Sequence, residues 1–178
     1  MRRLIVLDFD KTLIPFDSFK KYISIWIKLY PFRITLILIL RKLKFLSSSD
    51  LKKIILKLII KNKKFNIINE NFSNYLINNI TLKILEEVKK EISNDDILLL
   101  LSASPNEYIS LVGDKLGLLA KGSYIENNKF IHLHDIGKIN FLKLNYPEDK
   151  FYYYFALSDS YSDLEMLKLF EKYEIYKG

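Results

Sequence analysis

The sequence predicts an α/β fold: a Rossmann-like, mostly parallel sheet core with an all-helical cap inserted after the first strand. Three observations carry this reading. Leu4 to Leu7, Ile97 to Leu101 and Phe151 to Leu157 are short apolar runs that end in Asp8, Ser102 and Ser158-Asp159. Such runs read as strands buried on both faces. Amphipathic segments alternate with the later runs, which implies parallel pairing. The stretch between the first and second strands has helical spacing and no strand pattern.

Taken in order, the first strand is followed by residues 16–80, expected as the helical insert, with 1–15 and 81–178 forming the core. Phe19, Tyr22, Ile23, Trp26 and Tyr30 repeat at helical spacing until Pro31. Ile34 to Leu40 is apolar nearly all round. Leu51, Ile54, Ile55, Leu58 and Ile59 form another stripe after the capping candidates Ser48 and Ser49. Phe72, Tyr75 and Leu76 suggest a fourth, shorter helix. Thr81 to Ile92 predicts a helix before the second strand, and Asn106 to Leu116 one after it. Ser123 to Glu126 and Lys129 to Leu133 flank the turn-prone pair Asn127-Asn128 as a hairpin. Helices over Ile139 to Leu144 and Ser162 to Phe170, and a last strand over Tyr173 to Tyr176, complete the reading.

A chain of 178 residues buries one core and a smaller satellite. Its 49% hydrophobic and 28% charged residues are those of a folded domain. The absence of cysteine excludes disulfides, thiolate metal sites and a cysteine nucleophile. No secretory signal pattern precedes Asp8, and the absence of cysteine fits a reducing compartment, so the expected location is cytoplasmic. Lys28, Pro31 and Arg33 interrupt the most apolar stretch, leaving it far short of the roughly 20 residues of a membrane span. Charge is concentrated: Ser18 to Lys64 holds thirteen Lys or Arg against one acid, a net +12 in a chain whose total is +7. The rest is therefore acidic.

In such sheets ligands sit beyond the carboxyl ends of the strands. There Asp8-Phe9-Asp10-Lys11-Thr12 presents two carboxylates two positions apart. One carboxylate can attack phosphorus, given a divalent cation and nearby donors to neutralise the phosphoryl oxygens. A second can protonate the leaving oxygen and then deprotonate the water that breaks the intermediate. An isolated Asp-x-Asp is in most cases a pair of caps for a loop or helix start, so the downstream residues matter. Ser102 offers a hydroxyl and an N–H to a phosphate, as does Thr12. Lys138, after Gly137, offers a cation. Asp159 can reach a hard metal beside Asp8, with Asp163 and Ser160 supporting the loop.

This ordered set, LDFDKTL, ILLLLSASP, the GK of DIGKINFL, and ALSDSYSDLEML, resembles the haloacid dehalogenase-like hydrolase superfamily. The helical insert after the first motif, DSF at Asp17 to Phe19 and SASP at Ser102 to Pro105 resemble its helical-cap subgroup, which includes the phosphoserine phosphatases. The resemblance implies Asp8 as nucleophile and Asp10 as acid/base. It also implies Mg²⁺ on Asp8, the carbonyl of Asp10 and Asp159, with Ser102 and Lys138 gripping phosphate. Lys11 departs from the pattern, standing where glycine is common.

Asp17 matches a substrate-binding acidic residue of phosphoserine phosphatases and serves equally as a helix cap. His132-x-His134 has metal-pair spacing but reads as a solvated hairpin face, and Asp95-Asp96 as turn chemistry at the opposite edge. The expected activity is hydrolysis of a small phosphate monoester: a phosphorylated amino acid, amino alcohol or sugar. The alternatives are a membrane-associated phosphatase of lipid head groups and a catalytically silent binding protein. The basic insert has three readings: solvated surface, steering of anionic substrate, and docking on anionic membrane through Trp26, Tyr30 and the Ile-rich helix. No nucleic acid partner is expected. Ile34 to Leu40 could bury itself in a homodimer.

Overall fold

The sheet grows outward from the first apolar run. In the computed structural model, which describes residues 1–93 and 95–177, β1 (Arg2–Leu7) lies between β2 (Ile97–Pro105) and β5 (Phe151–Ser158), parallel to both. β3 (Leu119–Glu126) continues the sheet beyond β2, β4 (Lys129–Ile131) joins β3 antiparallel, and β6 (Lys172–Ile175) pairs with β5. The order is β4-β3-β2-β1-β5-β6. Leu7 is level with Leu100 on one side and Leu157 on the other, so the residues after all three strands leave one common edge.

Period-two alternation separates two cores. Leu4, Val6, Leu99, Leu101 and Ala156 pack with Leu142, Met166 and Leu167 on one face. Ile5, Leu7, Leu98, Leu100 and Leu157 belong to the other face and to a larger cluster. That cluster continues into four helices between β1 and β2: α1 (Ser18–Ile27), α2 (Pro31–Lys42), α3 (Ser48–Ile59) and α4 (Phe65–Ile77). Phe19, Tyr22 and Trp26 of α1, Ile55, Leu56 and Ile59 of α3, and Phe72 and Leu76 of α4 are its buried stripes. They meet α6 (Asn106–Leu116), which follows α5 (Leu82–Glu91) and β2. The Tyr108 ring of α6 sits 4.9 Å from both Tyr22 and Phe72, pairs worth about 0.5–1.5 kcal/mol each beyond burial.

Several elements differ from the sequence expectation. Pro31 not only ends α1 but starts α2, because its missing N–H falls at a position that has no helical acceptor. The cap of α3 is Ser47, one residue before the candidates, in a reciprocal pair with Asp50. α4, expected to be short, has 13 residues. β3 begins at Leu119, four residues before the expected hairpin strand, where pairing with β2 overrides a weak local pattern. Asn127 and Asn128 both have positive φ, as a tight hairpin turn requires. α7 (Ile136–Asn145) begins three residues early. The helix expected over Ser162 to Phe170 is a 3-10 turn at Tyr161–Asp163 followed by the single turn of α8 (Leu164–Leu167). Among the described residues, no helix is long and apolar enough to cross a membrane.

Candidate active site

Asp8 is the first residue beyond β1, and its N–H remains in the sheet, donating to Leu157 at 2.9 Å. The carboxylate is buried. Lys138 Nζ donates to Asp8 Oδ1 at 2.6 Å and to Asp163 Oδ2 at 2.7 Å, so one ammonium bridges two carboxylates from opposite ends of the sequence. Asp163 also accepts from Ser158 Oγ at 2.8 Å. Burial alone would depress the Lys138 ammonium, but the two carboxylates outweigh it and hold it above the ordinary lysine range. For Asp8 burial dominates: it raises the carboxyl to about 6 against the pull of Lys138.

Gly137 makes this lysine available. A Cβ there would sit 2.0 Å from the carbonyl oxygen of His132, so only glycine lets the first turn of α7 close against that strand end. The early start of α7 follows, and it sets Lys138 in the first turn beside the sheet edge.

Asp10 is held by other partners. The N–H of Ser18, at the start of α1, donates to Asp10 Oδ1 at 2.5 Å, and Ser104 Oγ donates to Oδ2 at 2.5 Å. Ser18 Oγ in turn lies 3.0 Å from Ser104 Oγ and 2.9 Å from Tyr108 Oη. Burial raises the Asp10 carboxyl above its usual range, opposed in part by the bonds from Ser104 and Ser18.

The remaining expected residues take distinct places. Thr12 Oγ1 donates to Asp8 Oδ2 at 3.3 Å and accepts from the Asp159 N–H at 2.9 Å, tying the first and last loops together. Ser102 is fully buried and its Oγ accepts the Ser104 N–H at 3.0 Å, so its hydroxyl is spent within the irregular carboxyl end of β2. Ser160 caps the 3-10 turn through the Ser162 N–H at 3.2 Å. Asp17 caps α1, accepting from the Lys20 N–H at 3.0 Å. Asp8, Asp10, Asp17, Lys138, Asp159, Ser160 and Asp163 all line one cleft of about 400 Å³; Ser102 and Thr12 stand behind its wall. Lys11 holds the left-handed backbone at φ 59, the conformation that explains why glycine suits this position.

Facing the carboxylates across the cleft are Phe19 and Ile23 of α1, Leu38 of α2, and Leu51 and Lys52 of α3. Lys52 is buried and donates to the Ala103 carbonyl at 2.7 Å, with His132 Nε2 at 3.3 Å and the Phe19 ring centre at 5.4 Å. Burial brings its ammonium down to about 8. His132 is lowered to about 4 by burial and then by Lys52 and His134, so its neutral imidazole serves as an acceptor toward Lys52. The two histidines stack at 5.4 Å beyond β4, turned toward this end of the molecule and not along a hairpin face.

Ser18, Ser104 and Lys52 were not among the expected site residues. Ser104 had a signal, since it lies two residues past Ser102 in an extended segment. Lys52 also had one: it continues the buried stripe Ile55, Leu56 and Ile59 at helical spacing, a position where a solvated lysine does not belong. Ser18 acts through its main chain, which no side-chain pattern reveals.

The donor set suits a hard cation. Among the described residues no group of three or more Asp, Glu, His or Cys side chains is gathered to hold a metal. The expected set needs only two carboxylates and a carbonyl, however, and the Asp10 carboxylate is committed to Ser18 and Ser104. Burial raises Asp8, Asp10 and Asp159 together, a shift that a cation beside them would oppose. Oxygen donors of this kind fit Mg²⁺.

A parallel α/β sheet whose carboxyl edge gathers four aspartates and a buried lysine under a helical segment defines the class of protein. The chain belongs to the haloacid dehalogenase-like hydrolases, whose family pattern it matches over residues 5–168. Its fold is similar to that of a protein of unknown function from Bordetella pertussis Tohama I, at 17% identity over 97% of this chain and 89% of that one, with a TM-score of 0.76. It is also similar to a phosphoserine phosphatase described as a phospho-aspartyl intermediate analogue: 16% identity, 97% and 85% coverage, TM-score 0.57. A phosphoserine phosphohydrolase-like protein from Francisella tularensis subsp. tularensis SCHU S4 shares 20% identity, with 98% and 95% coverage and a TM-score of 0.51. Among curated proteins, none matches the chain significantly.

Proposed function

We propose that the protein is a Mg²⁺-dependent phosphatase that hydrolyses a small phosphate monoester through an aspartyl-phosphate on Asp8. The observation that carries this reading is the separate tethering of two buried carboxylates in one cleft. Asp8 is held by Lys138 and Thr12, and Asp10 by Ser18 and Ser104. Two carboxyl groups with different partners are suited to different roles. Asp8 attacks phosphorus, the bond to the leaving oxygen breaks, and protonated Asp10 delivers its proton to that oxygen. Asp10 then takes a proton from the water that attacks the phosphoryl group, and Asp8 is released. Lys138 remains charged throughout and offsets the phosphoryl oxygens. Asp8, Asp159 and the Asp10 carbonyl would hold Mg²⁺, whose charge neutralises the transferred group.

The reading extends to the helical segment. Residues 16–80 act as a cap over the core formed by 1–15 and 81–178, and the cap side chains facing the site select the substrate. Asp17, Lys20 and Lys52 give that wall one acidic and two basic groups, which supports a zwitterionic or carboxylate-bearing monoester such as a phosphorylated amino acid. The test is hydrolysis of p-nitrophenyl phosphate with Mg²⁺, followed by a panel of phosphorylated amino acids, amino alcohols and sugars. Activity is expected to vanish in Asp8→Asn and after chelation. Turnover that survives Asp8→Asn overturns the nucleophile assignment.

A further inference from the structure

We infer that the outer face of α2 docks the protein on an anionic lipid bilayer. Phe32, Leu36, Ile39 and Leu43 fall within an arc of roughly 60° at 3.6 residues per turn. All four are exposed, Phe32 at 88%, and Phe45 extends the stripe at 74%. The opposite face of the same helix already serves the core, with Ile34 fully buried and Ile37 and Leu38 packed against it. The outer stripe therefore contributes nothing to the fold and exposes apolar surface that needs another partner.

Charge selects the partner. Between residues 28 and 45 the chain carries Lys28, Arg33, Arg41, Lys42 and Lys44 and no acid. Arg33 and Lys42 flank the stripe on its two sides. A second copy seated on this face would bring two strongly basic segments together with no acid between them, which opposes self-association. A nucleic acid would satisfy the cations and leave the apolar stripe in water. An anionic bilayer accepts both, with the stripe entering the acyl boundary and the cations at the head groups. Twelve residues of helix lie in such an interface and do not cross it.

The anchors differ from those that the sequence suggests. Trp26 is fully buried, and Tyr30 is engaged as acceptor of the Asn62 amide at 2.9 Å. Leu38 of this helix lines the cleft, so docking brings the cleft to the edge of the surface. The inference does not depend on the proposed chemistry, because its test is binding alone.

The test is co-sedimentation of the full chain with vesicles of phosphatidylcholine and phosphatidylglycerol in equal amounts, against phosphatidylcholine alone, at physiological salt. Retention is expected on the anionic vesicles only. Phe32→Ser should weaken it about tenfold or more, and Arg33→Gln or Lys42→Gln about fivefold each, with circular dichroism and turnover unchanged. No retention on anionic vesicles overturns the inference. So does retention indifferent to a Phe32→Ser, Leu43→Ser double variant, or a concentration-dependent dimer in solution that the same double variant converts to monomer.

Discussion

Ser104 Oγ donates to Asp10 Oδ2 at 2.5 Å, a contact between the carboxyl end of β2 and the loop after β1. With the Ser18 N–H on the other oxygen, it fixes the plane of the proposed acid/base. The helical segment, through Ser18, and the sheet, through Ser104, thus aim one carboxyl group together.

Ser104→Ala removes a hydrogen bond to a charged group, worth about 1.5–3 kcal/mol. kcat on p-nitrophenyl phosphate should fall about tenfold to a hundredfold. Asp10→Asn should cost about 10²–10⁴. Because Ser104 acts through Asp10, adding Ser104→Ala to Asp10→Asn should change kcat little further. An additive loss in the double variant, or a Ser104→Ala enzyme with unaltered kcat and pH profile, would count against this coupling.

Lys138 is the shared cation of two buried carboxylates, and its loss leaves both uncompensated. Lys138→Met should therefore lower unfolding stability at neutral pH by about 3–5 kcal/mol, read from urea titration. Replacing Asp163 by Asn in the same background should recover part of the loss. A midpoint unchanged by Lys138→Met would show that the cluster is already neutral without the lysine.

Lys52 is expected to lose its charge as pH climbs through about 8, because burial disfavours the ammonium. For an anionic substrate, KM should rise over that range while kcat is unaffected. Lys52→Arg keeps the charge and should flatten the KM profile; Lys52→Met should raise KM at every pH. An identical KM profile for wild type and Lys52→Arg would remove Lys52 from substrate binding.

At the opposite edge of the sheet, Arg3 forks onto Asp96, with Nε to Oδ1 at 3.0 Å and Nη2 to Oδ2 at 2.5 Å. The Arg3 hydrogen bond, with the Ser93 N–H, holds Asp96 down to about 2, below the ordinary carboxylate value of 3.8. A depressed folded-state value means that the stabilisation is present above pH 3.8 and is lost as pH falls through about 2. Asp96→Asn should lower the urea midpoint at pH 7, and its difference from wild type should shrink toward pH 2. A constant difference across that range would assign the effect to packing.

Much of the fold was legible because its signals are local. Continuous apolar runs mark strands buried on both faces, and each strand delivers its polar residues to one edge. Asp8, Asp10, Lys138 and Asp159 could therefore be selected from chain order alone. The hairpin at Asn127-Asn128 was legible because positive φ favours those residues. Helix limits were less so. α7 begins at Ile136 because Gly137 permits a close approach to His132, which belongs to a different element.

The sequence by itself determined the order of strands and helices, the family motifs and the pair of aspartates proposed for catalysis, since these depend on residue type and spacing. Only the tertiary structure decided which groups meet. It turned Ser102 inward and brought Ser104 to Asp10, lodged Lys52 in the cleft, and buried Trp26 while leaving Phe32 and Phe45 in water. Each outcome depends on contacts across dozens of residues, and helical spacing alone does not say which of two apolar faces the core will take.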